Sequence, residues 1–437
     1  MNWNLTFPTN QPIRKTYKQQ NNTAIMVSVT FLRNYRYRLY PFRNQQRILQ
    51  HQLDIGCDMY NSLLDLKQEI WRETKTSLSK QDLNNIITSL KIDNHRWNDI
   101  HSQVLQNVSD RITKAYDSFF RRVKEKKAGK KIKAGYPRFK KQVRYKSITF
   151  PQYGNGCRLI SNKKLFVSGF GEIPIVLSRM PKGKIKTATI KIKTNKWYVI
   201  FTCMITQELP QHPHADREVG IDMGLTKFAH LSDDTVIGNE RFYKQKEKRL
   251  KRLQRQLSRK KKGSHNRQKA MLRLAVEHEK IWNQRNDFQH KASRYIADNY
   301  GVIGVEGLNI NGMLKNHRLA KHIADAGWGG FLKKTCYKAV SAGGMFIIGD
   351  RFAPSTQECS CCHALLKIPL SERAYSCPVC KTKLDRDLNA SINRKPSSIL
   401  SRDGQPRIYA WGDPTSTLQQ KDCDASRVDE PKNRQRT

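Results

Sequence analysis

Four cysteines and three acids carry the chemistry open to this sequence. Cys359, Cys362, Cys377 and Cys380 stand as C-x2-C-x14-C-x2-C. Two such pairs supply four thiolates to a tetrahedral Zn²⁺. A four-thiolate site has no open position, so one zinc here is expected to hold structure and not to react. Cys361 lies inside the first pair and could replace a neighbour, although Cys359 and Cys362 have the better spacing. The acids are far apart in the chain. Asp222 follows Val219-Gly220-Ile221 and precedes Gly224, Glu306 closes the apolar run Val302 to Val305, and Asp387 follows the second cysteine pair. Carboxylates at apolar strand ends are costly unless paired or bound to metal. Three that converge favour a hard cation such as Mg²⁺. Two such ions about 4 Å apart can activate a water and stabilise the leaving oxygen of a phosphodiester. Each acid alone is weak, since a GIDMG turn also occurs in sugar-kinase-like ATPases. Asp385 competes with Asp387, which is preferred because it directly precedes the helix start Leu388-Asn389-Ala390.

The elements around these residues follow from periodicity. Val27 to Pro41 alternates aromatic and β-branched residues with arginines, as a strand does. From Asn44 to about Lys127 apolar residues recur at helical steps, and a basic linker begins at Gly129. Strands return from about Tyr136 to Ile205, with a hairpin turning at Thr194-Asn195-Lys196. A β-domain with a helical insertion gives this order, and so does a sheet beside a separate bundle. Gly220 to Gly238 predicts three short strands, and Arg241 to Asn299 a long basic helical region that breaks near Gly263. Val302 to Val305 and Met345 to Ile348 predict strands, Leu319 to Ala342 predicts a helix, and another helix starts near Asp387. Strands alternating with helices in this half predict an α/β domain.

The 437 residues carry 81 Lys and Arg against 37 Asp and Glu, a formal net charge of +44. Charge of one sign this large repels itself unless an anion neutralises it. It runs along the whole chain and not in a tail, which favours a nucleic-acid partner. An anionic membrane surface is the alternative, but no apolar run is long enough to span a bilayer. The first residues lack an apolar stretch of signal-peptide length. A cytoplasmic, reducing location is therefore expected, where most of the ten cysteines are thiols or metal ligands. Lys244 to Ala270 contains one acid, Glu247, and a narrow seam of Leu250, Leu253 and Leu257. Its cations Lys248, Lys251, Arg252, Arg255, Arg259 and Lys260 are expected to contact phosphate, as are Arg138 and Lys140 in KAGYPRFKK. Such contacts position a strand and do not read its sequence.

Taken in order, RLYP (Arg38 to Pro41), KAGYPRFKK (Lys133 to Lys141), GIDMGLTKFA (Gly220 to Ala229), RLKRLQRQLSRKKKGS (Arg249 to Ser264), NHRLAKHIADAGWGGF (Asn316 to Phe331), the two cysteine pairs and DRDLNASIN (Asp385 to Asn393) resemble the TnpB family of transposon-encoded proteins. These are relatives of the compact type V CRISPR effectors, and the resemblance covers residues 27 to 395. It implies an α+β multidomain fold. An OB-like wedge β-barrel (27–43 and 134–215) would be interrupted by a helical recognition lobe (44–133). A RuvC-like, RNase H-type nuclease domain (216–352 and 384–395) would carry an inserted zinc-binding target-nucleic-acid module (353–383). Residues 1–26, and the tail 396–437 with its lack of periodicity, lie outside the resemblance and are expected to be disordered. The implied activity is RNA-guided cleavage of double-stranded DNA, with a short motif read beside the target and Asp222, Glu306 and Asp387 as the catalytic, Mg²⁺-binding triad. Guide pairing would supply most of the sequence specificity. The implied setting is a prokaryotic cytoplasm, at the nucleoid. His363 and Lys381 stand where the family often has glycine after each cysteine pair. Among the alternatives, a nuclease-inactive guided repressor has no need of three intact acids. A strand-joining transposase needs a tyrosine and histidine constellation that is not visible, and a purely RNA-binding protein leaves the acids unexplained.

Overall fold

The computed structural model describes residues 28–208, 210–369, 372–402 and 406–410. The stretches 1–26 and 411–437, expected to be disordered, lie outside them. The chain forms two compact units, one of residues 30–206 and one from residue 207 on.

The first unit opens with β1 (Ser28–Leu39), whose Tyr35, Tyr37 and Leu39 point into the core. The alternate arginines lie outside, with Arg36 and Arg38 each stacked on Tyr198. Three helices follow, α1 (Arg43–Thr74), α2 (Lys80–Asp93) and α3 (Ser102–Lys127). The second starts on a capping box between Ser79 and Asp82. The third stops before Gly129, whose φ of 81° only glycine adopts cheaply. Regular strands resume later than expected, at residue 147 and not near Tyr136. They are β2 (Ser147–Phe150), β3 (Cys157–Ser161), β4 (Lys164–Val167), β5 (Gly171–Val176), β6 (Lys184–Lys193) and β7 (Lys196–Glu208). The sheet runs β2-β6-β7-β1-β5-β4-β3. Because β1 sits in its middle, the helices are an insertion into one sheet and not a bundle beside it. The β6–β7 hairpin turns at Thr194 and Asn195, both at positive φ, the geometry a two-residue turn needs to match strand twist.

The second unit holds β8 (Glu218–Met223), β9 (Lys227–Leu231) and β10 (Val236–Gly238), then the helix pair α4 (Phe242–Ser258) and α5 (His265–Asn299). After β11 (Val302–Glu306) come α6 (Ile310–Met313), α7 (Ala320–Ala326), α8 (Trp328–Ser341) and β12 (Met345–Gly349). The small hairpin β13 (Ala374–Ser376) and β14 (Lys383–Asp385) leads into α9 (Arg386–Ile392), α10 (Pro396–Arg402) and β15 (Arg407–Tyr409). The sheet order is β10-β9-β8-β11-β12-β15. Three antiparallel strands come first, β11 and β12 continue parallel to β8, and β15 closes the edge antiparallel. Val219, Ile221, Ile303, Val305 and Phe346 form one core with residues of α5 and α8. Phe228 meets Phe288 and Phe331 edge-on at centroid distances of 4.9 Å.

Two expectations are corrected here. The helix expected over 319–342 breaks at Gly327, which takes φ 67° to end α7 and begin α8. Part of the tail expected to be disordered from residue 396 is ordered. Ser397 binds the Glu218 carboxylate through its amide and hydroxyl at 2.9 and 2.6 Å, and Ile399 and Tyr409 are buried. These segments are too short to show a period, so their order comes from tertiary burial.

Candidate active site

The strands β8 and β11 pair in parallel with Gly220 opposite Gly304 and Ile221 opposite Val305. Asp222 and Glu306 are the next residues on each strand, so they leave the sheet side by side at the carboxyl ends. Side chains alternate along a strand. With Ile221 and Val305 in the core, both acids and both glycines face the other side. The chain around α9 and α10 lies there. A Cβ added at Gly220 would fall 2.0 Å from the Ser391 carbonyl oxygen, and one at Gly304 would fall 2.1 Å from that of Arg394. The glycine pair is therefore a flat seat that lets this backbone lie against the sheet. Gly304→Ala is expected to lose at least about 1–3 kcal/mol of stability, the usual range for overpacking. Chemical denaturation would read this, and an unchanged midpoint would refute the seat.

Seated this way, α9 brings Asp387 to the two strand-end acids. The Asp222 carboxyl is pushed up to about 7 by burial and then by the charges of Asp387 and Glu306, with Arg394 and Arg386 opposing. Burial also raises Glu306, again opposed by Arg394. Desolvation and like charge both penalise ionised carboxylates. The three sequence-predicted acids are thus near enough to feel one another's charge, although their oxygens do not close into a set within 4.8 Å as the cysteine sulfurs do. Arg394 is 1% exposed, and its guanidinium lies 3.4 Å from Glu306. Its Nε has no hydrogen-bond partner among the described residues. Arg373 approaches Asp387 at 3.7 Å. Neither arginine carries a periodic or motif signal, and sequence reasoning missed both.

The two aspartates take different places in α9. The helix begins at Arg386, two residues before the expected start at Leu388, so Asp387 lies inside its first turn and not just ahead of it. Asp385 is the N-cap, accepting the amides of Asp387 at 2.8 Å and Leu388 at 3.3 Å. Burial works against its ionisation, but Lys227 and those amides outweigh it, so its carboxyl lies below the usual range.

Cys359, Cys362, Cys377 and Cys380 bring their sulfurs within 4.8 Å of one another, and Cys361 lies apart, exposed. The pairs Cys359–Cys380 and Cys362–Cys377 are each 3.5 Å apart. Thr382 lies 3.1 Å from the Cys380 sulfur, within hydrogen-bond reach. Four converging sulfurs fit a tetrahedral zinc, which binds them as thiolates. The residue after each pair, His363 and Lys381, adopts φ of 60° and 61°. Those are the positions where glycine is common, and a side chain there costs about 1–2 kcal/mol.

The basic segment forms the hairpin of α4 and α5, turning at Gly263 with φ 85°. Leu250 is buried and Leu253 and Leu257 half-buried, while Lys248, Lys251, Arg252, Arg255, Arg259 and Lys260 are exposed. Lys251 is tied to Glu247 at 3.0 Å. Asp325, which sequence reasoning missed, anchors this hairpin by accepting the first-turn amides of Tyr243 and Lys244 and pairing with Arg285 at 2.9 Å. Arg138 is exposed. Lys140 departs from the expectation of a free phosphate contact: it is half-buried, its amine 3.8 Å from the centre of the Tyr60 ring. Among the described residues no helix is long and apolar enough to cross a membrane.

A family model described as "Probable transposase", OrfB_IS605, matches residues 201–317. One described as "Cas12f1-like, TNB domain" matches 328–394, and a "Helix-turn-helix domain" model matches 26–76. Over that last range the described residues form the strand β1 and one long helix, α1. A "Putative RNA-guided DNA endonuclease" of Streptomyces pristinaespiralis is 30% identical over 369 residues, covering 83% of this chain and 88% of its own. The "Putative RNA-guided DNA endonuclease InsQ" of Escherichia coli (strain K12) is 31% identical over 312 residues, covering 68% and 74%. In fold, the chain is similar to one in a solved structure titled "Cryo-EM structure of the Cas12f1-sgRNA-target DNA complex". The TM-score is 0.50 at 13% identity, covering 80% of this chain and 82% of that one.

Proposed function

The chain belongs to the TnpB family, and from that premise we propose that it is an RNA-guided DNA endonuclease whose RuvC-like site uses Asp222, Glu306 and Asp387 with Mg²⁺. The observation that carries this reading is the placement of three acids from β8, β11 and α9 near enough that, after burial, the charges of Asp387 and Glu306 push the Asp222 carboxyl up to about 7. Arg394 and Arg373 stand beside Glu306 and Asp387 and offset that charge in part, and hard oxygen donors of this kind fit hard divalent ions. When bound, such ions supply an activated water and stabilise the leaving oxygen. The chain's own residues place the donors: β8 and β11 fix two acids by strand register, α9 fixes the third, and Arg394 orients Glu306. The exposed cations of α4 hold nucleic-acid backbone, and guide pairing supplies sequence. The second unit's meander, continued by parallel strands, supports the RuvC-like, RNase H-type assignment. The first unit's sheet with its inserted helices supports an OB-like wedge and a recognition lobe. The four cysteines form the zinc-binding target-nucleic-acid module, and the setting is a prokaryotic cytoplasm. The alternative, a nuclease-inactive guided repressor, is disfavoured by the complete trio.

The test is to express the chain with its native downstream flanking DNA and sequence the RNA that copurifies. The complex is then challenged with a plasmid library matching the guide segment and randomised beside it, with Mg²⁺. Guide-dependent cuts are expected, at a fixed flanking motif. Target binding without cutting would favour the repressor, and absence of bound RNA would overturn the guided mechanism.

A further inference from the structure

The third acid depends on a residue that belongs to no cysteine pair or acid trio. Lys227, on β9, directs its amine to Asp385 Oδ2 at 3.0 Å and to His230 Nδ1 at 3.3 Å. His230 is 2% exposed, and its Nε2 lies 2.8 Å from Asp234 Oδ1. The hydrogen-bond directions follow from the donors available. An ammonium only donates, so Nδ1 accepts and the imidazole proton sits on Nε2, donated to Asp234. The imidazole nitrogen lies 3.7 Å from Asp385 Oδ1, too far for a hydrogen bond. Lys227 alone therefore joins His230 to Asp385. Asp385 spends its other oxygen on the amides of Asp387 and Leu388.

We propose that Lys227, held by His230, is a positioning residue that sets the place of Asp387: it fixes the Asp385 carboxylate on which the first turn of α9 is built. The proposal rests on Asp387 being a catalytic acid. A cap without this tether would still order the turn, because an N-cap oxygen needs only the helix amides. It would leave the first turn tied to β8, which carries Asp222, only through the seating of the last turn of α9 on Gly220, with no bond of its own to the sheet. The ion pair is half-buried, with 29% and 41% of the two side chains exposed, so geometry and not bulk stability is its contribution. Residues that orient metal ligands in this way typically matter by roughly 10–100-fold.

The experiment uses the guide-loaded chain and the variants Lys227→Met, Lys227→Arg and Asp385→Asn. Lys227→Met is expected to slow cleavage by roughly 10–100-fold with target affinity unchanged, and Lys227→Arg to restore most of the rate. Asp385→Asn keeps a good cap and drops the ion pair. It is expected to match Lys227→Met, with the double variant no worse than either, as coupled residues behave. A second readout needs neither metal nor cleavage: hydrogen exchange at the Asp387 and Leu388 amides of the metal-free protein. It is expected to quicken in Lys227→Met and not in Lys227→Arg. Cleavage and exchange both at wild-type levels in Lys227→Met would overturn the proposal, as would slowed cleavage with unchanged exchange. A wild-type complex that never cuts would instead overturn the endonuclease reading, and exchange would still decide whether Lys227 holds the helix.

Discussion

Asp222→Asn is expected to abolish target cleavage and, without metal, to make the protein more stable. The two effects have one origin. Burial and the charges of Asp387 and Glu306 push the Asp222 carboxyl up to about 7. In the unfolded chain an aspartate loses its proton near pH 4. Between about pH 4 and pH 7 the folded form holds a proton that the unfolded form has released. Stability therefore falls as pH rises through that window and stays low above it. Asparagine fills the same space without the charge and removes this cost, on the order of a few kcal/mol for a shift of this size. The midpoint of denaturation of the metal-free variant should exceed that of the wild type at pH 8, and the difference should shrink towards pH 5. Function moves the other way. Losing a ligand from the trio removes transition-state stabilisation of several kcal/mol, a rate loss of about a thousandfold or more, with guide and target still bound. A related result is expected in the wild type. On the proposed function Mg²⁺ has to displace the Asp222 proton, so the concentration for half-maximal cleavage should rise as pH falls below about 7, and more Mg²⁺ should restore the rate. Normal cutting by Asp222→Asn, or a half-maximal Mg²⁺ concentration independent of pH, would remove Asp222 from the site.

What the sequence made legible was what local rules control. The break at Gly263 and the Thr194-Asn195 turn follow from backbone freedom and turn chemistry, and the cysteine set from ligand spacing. The strand-end acids stood out because a charge at the end of an apolar run is expensive. The residues missed act through tertiary approach. Arg394 matters because the chain after α9 lies on Gly220 and Gly304, a contact no short window contains. Asp325 matters because it caps a helix about 80 residues before it. Lys140 looked like any lysine in a basic motif until the fold placed Tyr60 beneath it. His363 and Lys381 teach the converse. Their departure from glycine was visible, and the structure supplies its meaning: both knuckle turns keep their left-handed geometry with a side chain in place.

The second large effect concerns the zinc module, which abuts the last acid in sequence and is strapped to it in space. Asn389 of α9, fully buried, donates to the Glu358 carbonyl at 2.7 Å and accepts from the Ser360 amide at 2.9 Å. Those two residues flank Cys359. Asn393, which caps the same helix one turn on, donates to the carbonyls of Ser355 and Glu358 at 2.9 and 2.8 Å. At the other end the Arg386 amide donates to the Arg373 carbonyl at 2.8 Å. The first knuckle is therefore bonded directly to the helix that carries Asp387. Cys377→Ser is expected to lose zinc and to slow cleavage at least about tenfold, through a displaced α9. Asn389→Leu separates the metal from the strap. It leaves the half-buried Ser360 amide unpaired, at a cost of roughly 1–3 kcal/mol, and leaves the Glu358 carbonyl only its bond from Asn393, while all four thiols remain. Its zinc content and target affinity should be normal and its turnover low. If Cys377→Ser cut DNA at the normal rate with no zinc bound, the coupling would fail. If Asn389→Leu cut normally while Cys377→Ser lost target affinity, the module would serve to grip DNA and not to place Asp387. Zinc content, target affinity and turnover, measured on the same two variants, separate a fastener from a grip.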